Sequence, residues 1–494
     1  MSTPHVVVIG AGVGGLAAAI ELAASGARVT VLESADEPGG KMRQLQVAGQ
    51  GVDAGPTVFT MRWIFDGLLA LADTDLESIL RFQQADVLAR HAWRQGGELD
   101  LYASTEKSYA AIEAFCGKEN ADGYRAFCAR SEDIYNTLRE PFIGGSRPGM
   151  VELVRRVGFS RLDALWRTAP FQSLWNSLDG HFSDQRLRQL FGRYATYVGS
   201  SPLKAPATLM LIAHVEQDGV WLVEGGLRAV AHGLAEVARG LGAHFHYGVS
   251  ARHLNLQRGA ARSVTTSEGE TIAADAVVFN GDISALGTGM LGEAARQAVT
   301  PVTARQRALS AVTFCAVAKV SGFPLHYHNV FFAEDYPKEF AAIFGRREIC
   351  DYPTVYVCAQ DRVSGEDPGK PERLLLLINA PADGDNVSYS DDTREDLRQK
   401  TLQVMKDCGC ALDFSEGGWV TTDPAAFNER FPASGGALYG RANHGSMASF
   451  ARPGARSRIP GLYLAGGSVH PGAGVPMSAM SGRLAAGALL EDRL

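Results

Sequence analysis

An α/β fold is predicted, in which a parallel sheet is assembled from three separate stretches of chain and mixed sheet-and-helix segments are inserted between them. Three observations predict it. Residues 6–33 read as an apolar run, a glycine turn, an Ala/Leu-rich helical stretch and a second apolar run closed by Glu33. Strand and helix patterns of the same kind return at 221–280 and again from 461 to the end. At 494 residues the chain is too long for one compact core.

The first unit fits a Rossmann-like dinucleotide site. Gly10, Gly12 and Gly15 match G-x-G-x-x-G between a strand and a helix. Gly10 permits the tight turn. Gly12 lets a pyrophosphate approach the backbone at the helix N-terminus, where free N–H groups and the dipole favour an anion. Gly15 lets helix and strand pack closely. Glu33 stands 18 residues beyond Gly15, where a carboxylate can take ribose hydroxyls.

Pro38-Gly39-Gly40-Lys41-Met42-Arg43 follows, and Gly51-Val52-Asp53-Ala54-Gly55-Pro56-Thr57 returns toward the glycine turn. From 62 to 211 the periodicity is mainly helical and rich in aromatics. Glu224-Gly225-Gly226-Leu227 precedes a helix over 228–241, with Val230, Leu234, Val237 and Leu241 at helical spacing. A strand at 244–247, a hairpin of 251–256 with 261–266, and a buried strand at 276–280 come next. Residues 301–420 alternate strands and helices. The chain closes on an apolar strand, a Gly/Pro-rich turn through 466–476 and a helix from about Met477. The expected division is 1–61, 216–285 and 455–494 for the discontinuous nucleotide domain, 62–215 for a helical insertion, and 286–454 for a substrate-binding domain.

Composition narrows the function. Apolar residues make up 46% and charged residues 20%, as in an ordinary globular protein. A net charge of −7 argues against nucleic acid as a partner. The seven cysteines are scattered without a C-x-x-C pair, which reads as a reduced, cytoplasmic protein without structural zinc. Cys408-Gly409-Cys410 reads as a buried turn. His244 and His246, and His326 and His328, sit at strand spacing without neighbouring carboxylates or thiols, so no metal site is expected. The first strand begins at Val6 with no charged n-region or cleavage site before it, so no leader is expected. No uncharged apolar run reaches the roughly 20 residues that a bilayer-spanning helix needs.

Gly39-Gly40-Lys41, Asp53-Ala54-Gly55-Pro56-Thr57, Tyr197-Val198-Gly199-Ser200-Ser201-Pro202, Gly225-Gly226 and the stretch from Gly466 to Ala486 together resemble the FAD-dependent amine-oxidase-like superfamily, and within it the bacterial phytoene-type carotenoid desaturases. The resemblance runs end to end. Gly467-Ser468 and Met477 make the C-terminal motif most similar to the hydroxycarotenoid 3,4-desaturase group. The implied fold is amine-oxidase- or glutathione-reductase-like. The implied cofactor is FAD, held by Gly10, Gly12, Val13, Gly14, Gly15, Glu33 and Ser34 around the first turn. Gly40, Lys41, Met42, Arg43, Gly55, Pro56, Thr57 and Ala251 would follow, with Gly466, Gly467, Val475, Pro476 and Met477 at the C-terminal end.

With one complete dinucleotide turn and no redox cysteine pair, electrons are expected to leave FAD for oxygen or a membrane quinone. Pro476 suits the first helical turn, and that helix end would face the electron-rich edge of the reduced flavin. No triad or metal is expected, because the cofactor carries the hard chemistry. His470 is a weak candidate proton acceptor; a structural hydrogen bond to backbone or flavin is the stronger reading. The implied substrate is a C40 carotenoid delivered from a lipid bilayer surface. Residues 151–193 hold seven arginines and four acids interleaved with Phe159, Leu162, Leu165, Trp166, Phe171, Leu174 and Trp175. That pattern suits docking to an anionic inner or photosynthetic membrane, against a lid packed on the substrate domain. Phytoene desaturation, amine or protoporphyrinogen oxidation, carotenoid isomerisation, and a flavin-free lipid-binding module like the Rab GDP-dissociation inhibitors remain as alternatives.

Overall fold

A computed structural model describes residues 3–493. Its first sheet is wholly parallel and has the strand order Leu462–Leu464, Ala276–Phe279, His5–Ile9, Arg28–Leu32, His244–His246. Three distant stretches thus meet in one sheet: Val7 stands opposite both Val277 and Thr30, and Val277 opposite Leu462. The central strand is buried along its whole length, which explains a continuous Val-Val-Val-Ile run where an exposed sheet would alternate.

Helix Val13–Ala24 packs on this sheet beside the C-terminal helix Val475–Arg493. The two approach until a Cβ on Gly482 would stand 1.9 Å from the Gly14 carbonyl oxygen. Helix Gly226–Gly240 joins the same core through Val230 and Leu234, with Val237 and Leu241 packed at its margin. The hairpin is present as Ala251–Gln257 with Ala260–Thr266, and Thr271–Ala273 adds a third strand.

A seven-stranded mixed sheet forms the second layer. Its order is Ala411–Thr422, Ser310–Ser321, Glu372–Ala380, Val355–Ala359, His328–Phe332, Val87–Trp93, Glu98–Tyr102. Its last two strands come from the segment expected to be mainly helical. Phe82–Gln84 also leaves that segment, to pair with Trp221–Val223. Residues 62–215 are therefore a helical body with a strand pair donated to the neighbouring sheet. Val87–Trp93 is buried at most positions, so it lacks the clean alternation that would mark a strand.

The seven thiols are free, and Gly409 turns the chain at φ +87° between Cys408 and buried Cys410. Among the described residues no group of His, Cys, Asp and Glu could hold a metal ion, and no helix is long and apolar enough to cross a membrane.

Candidate functional site

A cavity of about 1090 Å³ runs from the carboxyl ends of the parallel strands, past the seven-stranded sheet, to the helical body. At its polar end lies the glycine turn. Gly10 holds φ +97°, the left-handed region that favours glycine. Gly12 caps the following helix without a side-chain hydrogen bond, and no acid occupies that helix's first turn. The N–H groups at Val13 and Gly14 therefore open into the cavity with the positive end of the dipole behind them. Gly15 does not line the cavity. A Cβ there would lie 2.0 Å from the Gly10 carbonyl oxygen, so it is the packing glycine of the motif.

Glu33 ends the second strand and lines the cavity beside Ser34. Its carboxylate accepts from Ala11 N at 2.7 Å and Ala35 N at 2.9 Å. Asn280 is a functional residue that the sequence reading missed. Its side-chain amide donates to the carbonyls of Gly10 (3.1 Å) and Gly12 (3.3 Å), locking the turn from the neighbouring strand. Its one sequence signal is an amide directly after the buried run Val277-Val278-Phe279.

The second wall is the 39–57 loop. Gly39 N donates to Ala11 O at 2.9 Å, and a Cβ on Gly40 would touch Gly12 Cα at 3.4 Å. Lys41 donates to Leu438 O at 2.5 Å, and burial lowers its pKa. Arg43 donates to Thr422 Oγ1 at 3.2 Å; burial brings it down to about 10, still protonated at neutral pH. Gly55 sits where a Cβ would strike Lys41 O at 1.9 Å. Thr57 Oγ1 is 2.6 Å from the Tyr356 hydroxyl. Met42, Pro56 and Ala251 also line the cavity.

The third wall is the C-terminal turn. Gly466 (φ +101°), Gly467, Val475, Pro476 and Met477 line it, and the helix begins at Val475, with Pro476 in its first turn. Buried Arg452 supports the turn, donating to Gly467 O (2.8 Å), Tyr439 O (2.9 Å) and Arg441 O (2.7 Å). No sequence motif announced it.

His470 does not line the cavity, so the proton-accepting role has no contact to act through. Its Nε2 is 3.0 Å from Gly145 O, the backbone bond expected of it, and its ring packs edge-on to Phe142. Burial lowers its pKa to about 4; burial likewise holds His91 and His328 at about 3 and His444 at about 4. Their folded pKa values are depressed, so the neutral rings support the fold above pH 6.5 and that support is lost as pH falls toward 4. Folding stability is expected to drop between pH 7 and pH 5, by about 2 kcal/mol from His470 alone. Urea unfolding at the two pH values checks this; equal stability would contradict it.

The far end of the cavity is apolar. Leu209, Ile212, Val215, Leu375 and Leu377 form its walls, and Met150, Leu162, Leu165, Trp166 and Phe171 its mouth. Around the mouth Phe159, Trp166 and Phe171 are 71%, 73% and 72% exposed. The arginines expected to make this segment basic are largely ion-paired: Arg155 and Arg156 with Glu152, Arg167 with Asp133 and Asp163, Arg186 with Asp184, and Arg188 with Asp179.

The polar half fits a flavin dinucleotide. It offers an uncapped helix end, a carboxylate at the second strand, and a glycine-lined floor. A Cβ at Gly12 would meet only Asn280 Nδ2, at 3.1 Å, and would otherwise occupy the space left for the ligand. Comparison with known proteins agrees. The chain is 50% identical over 493 residues to the hydroxyneurosporene desaturase of Rubrivivax gelatinosus, covering 99% of this chain and 94% of that one. It is 31% identical to the 1-hydroxycarotenoid 3,4-desaturase of a Flavobacterium species, covering 97% and 98%. Putrescine oxidase bound to putrescine shares the fold at 14% identity, with a TM-score of 0.62 over 99% of each chain. Residues 13–490 match the flavin-containing amine oxidoreductases, and the chain belongs to that family.

Proposed function

We propose that the protein is an FAD-dependent carotenoid desaturase that introduces the C3–C4 double bond into acyclic 1-hydroxy or 1-methoxy carotenoids. One observation carries the reading: a single cavity joins a dinucleotide cradle to an apolar channel opening among exposed aromatics. Residues 1–61, 216–285 and 455–494 would hold the cofactor, with the substrate lying between 62–215 and 286–454.

Bound FAD supplies a two-electron acceptor for hydride removal from the polyene. The chain binds, orients and keeps water out. Leu375, Leu377, Ile212 and Val215 hold the polyene by burial, and Met477 narrows the wall at the C-terminal helix. The carbon left electron-poor is allylic, so its neighbouring C–H is acidic and a weak acceptor suffices; no strong base is required of the walls. Oxygen or a membrane quinone would then take the electrons. Incubation with 1-hydroxyneurosporene in liposomes should give the 3,4-desaturated product. Conversion of phytoene with hydroxyneurosporene untouched would contradict the reading.

Docking follows from the mouth. A C40 polyene is about as long as the ~30 Å hydrocarbon core of a bilayer is thick, and nearly insoluble in water. The protein would sit peripherally on the inner or photosynthetic membrane, with Phe159, Trp166 and Phe171 at the headgroup boundary. Because most of the arginines already have acidic partners, raising salt to 1 M, where the Debye length is about 3 Å, should weaken co-sedimentation with anionic liposomes only a few-fold. Absence of binding at low salt would overturn the docking site.

A further inference from the structure

Resting on the hydroxycarotenoid reading above, we propose that Arg193 and Tyr197, backed by Glu216, hold the oxygen at C1 of the substrate at the inner end of the apolar channel and so select oxygenated carotenoids.

Three cavity-lining residues make the case. Arg193 and Tyr197 both line the cavity from the short helix Arg193–Val198, with the Arg193 guanidinium 3.3 Å from the Tyr197 hydroxyl. Glu216 comes from helix Leu211–Asp218, on the same face as Ile212, and Thr208 lines the cavity from the short helix Ala207–Met210 that precedes it. Thr208 belongs to the mouth: its hydroxyl donates to Thr168 O at 2.8 Å. The short helix and the longer one together carry the chain roughly 13 Å from Thr208 to Glu216. An oxygen-bearing end entering first would slide past Ile212 and meet this polar group.

The group has unused capacity. Glu216 accepts from the hydroxyls of Tyr194 (2.8 Å) and Tyr197. Among the described residues the Arg193 guanidinium donates only to Tyr197, at 3.3 Å, and its Nε has no partner. Arg193 is half-buried, and a guanidinium with spare N–H groups facing an apolar cavity is unfavourable until something accepts from it. A hydroxyl and a methoxyl oxygen can both accept, and only the hydroxyl can also donate, to Glu216. Burial opposes the charge on Arg193, but Tyr197 and Glu216 beside it keep it protonated.

The position suits the reaction. C3 lies two carbons from the oxygen-bearing C1, so the anchor must stand near the reacting wall. Tyr356 borders that wall: its hydroxyl is 2.6 Å from Thr57 Oγ1 and 2.7 Å from His328 Nδ1. Arg193 also lies within electrostatic reach of His328.

The test uses FAD-loaded protein with 1-hydroxyneurosporene and neurosporene in identical vesicles. The wild type should prefer the hydroxylated substrate in kcat/KM. In Tyr197→Phe that preference should fall about tenfold, with the change in the KM for the hydroxylated substrate. A flavinated, cooperatively melting Tyr197→Phe that keeps the full preference overturns the inference. Should Tyr197→Phe fail to fold, the double variant Arg193→Gln/Glu216→Gln, which removes both charges together, is read by the same ratio. A wild type that converts neurosporene and leaves 1-hydroxyneurosporene untouched overturns the functional reading and this inference with it.

Discussion

Gly12→Val is expected to purify soluble and cooperatively folded but nearly colourless. Gly12 has φ −70° and ψ 168°, a conformation that valine adopts readily. Its Cβ would meet only the Asn280 amide, at 3.1 Å, and a shift of a few tenths of an ångström relieves that contact, so the fold should accept the change. The added methyl groups instead project into the space where a pyrophosphate must touch backbone N–H. Each ~1.4 kcal/mol of lost contact is a tenfold loss of affinity, so bound flavin should fall by about tenfold or more. Absorption spectra of the purified variant measure this, and a fully flavinated Gly12→Val would contradict the cradle. Gly15→Ala makes the control. Its Cβ would fall 2.0 Å from Gly10 O, so it should lower the melting temperature as well as the flavin content.

Replacing the exposed mouth aromatics gives the second large effect. Phe159→Ser/Trp166→Ser/Phe171→Ser should cut liposome binding by roughly a hundredfold, taking about 1 kcal/mol per partly buried ring. The rings lie mostly in solvent, so the melting temperature should hold. Flotation with vesicles reads the binding. Unchanged flotation would show that the rings form a lid and not a membrane contact.

Much of this was legible in the sequence because local rules and the global fold agree there. The glycine turn, Glu33 and the buried strands at 5–9 and 276–279 are dictated by backbone sterics and by burial on both sheet faces. The strand pair at 87–102 was not legible, since its partner lies more than two hundred residues away and its apolar positions follow neither period cleanly. The same holds for the site. Motif residues declare themselves, whereas Asn280, Arg452 and the Arg193–Tyr197–Glu216 group act through contacts that only the folded chain creates. Segment charge is legible only in part: the arginines of 151–193 can be counted from the sequence, but which acids most of them pair with is set by the fold.

The most direct test is anaerobic mixing of the flavin-loaded protein with 1-hydroxyneurosporene in vesicles, following the yellow flavin absorption through a single turnover. The proposed function predicts bleaching at a rate that matches appearance of the 3,4-desaturated product, and little or none with phytoene. Bleaching by phytoene, with the hydroxylated substrate leaving the flavin oxidised, would contradict it.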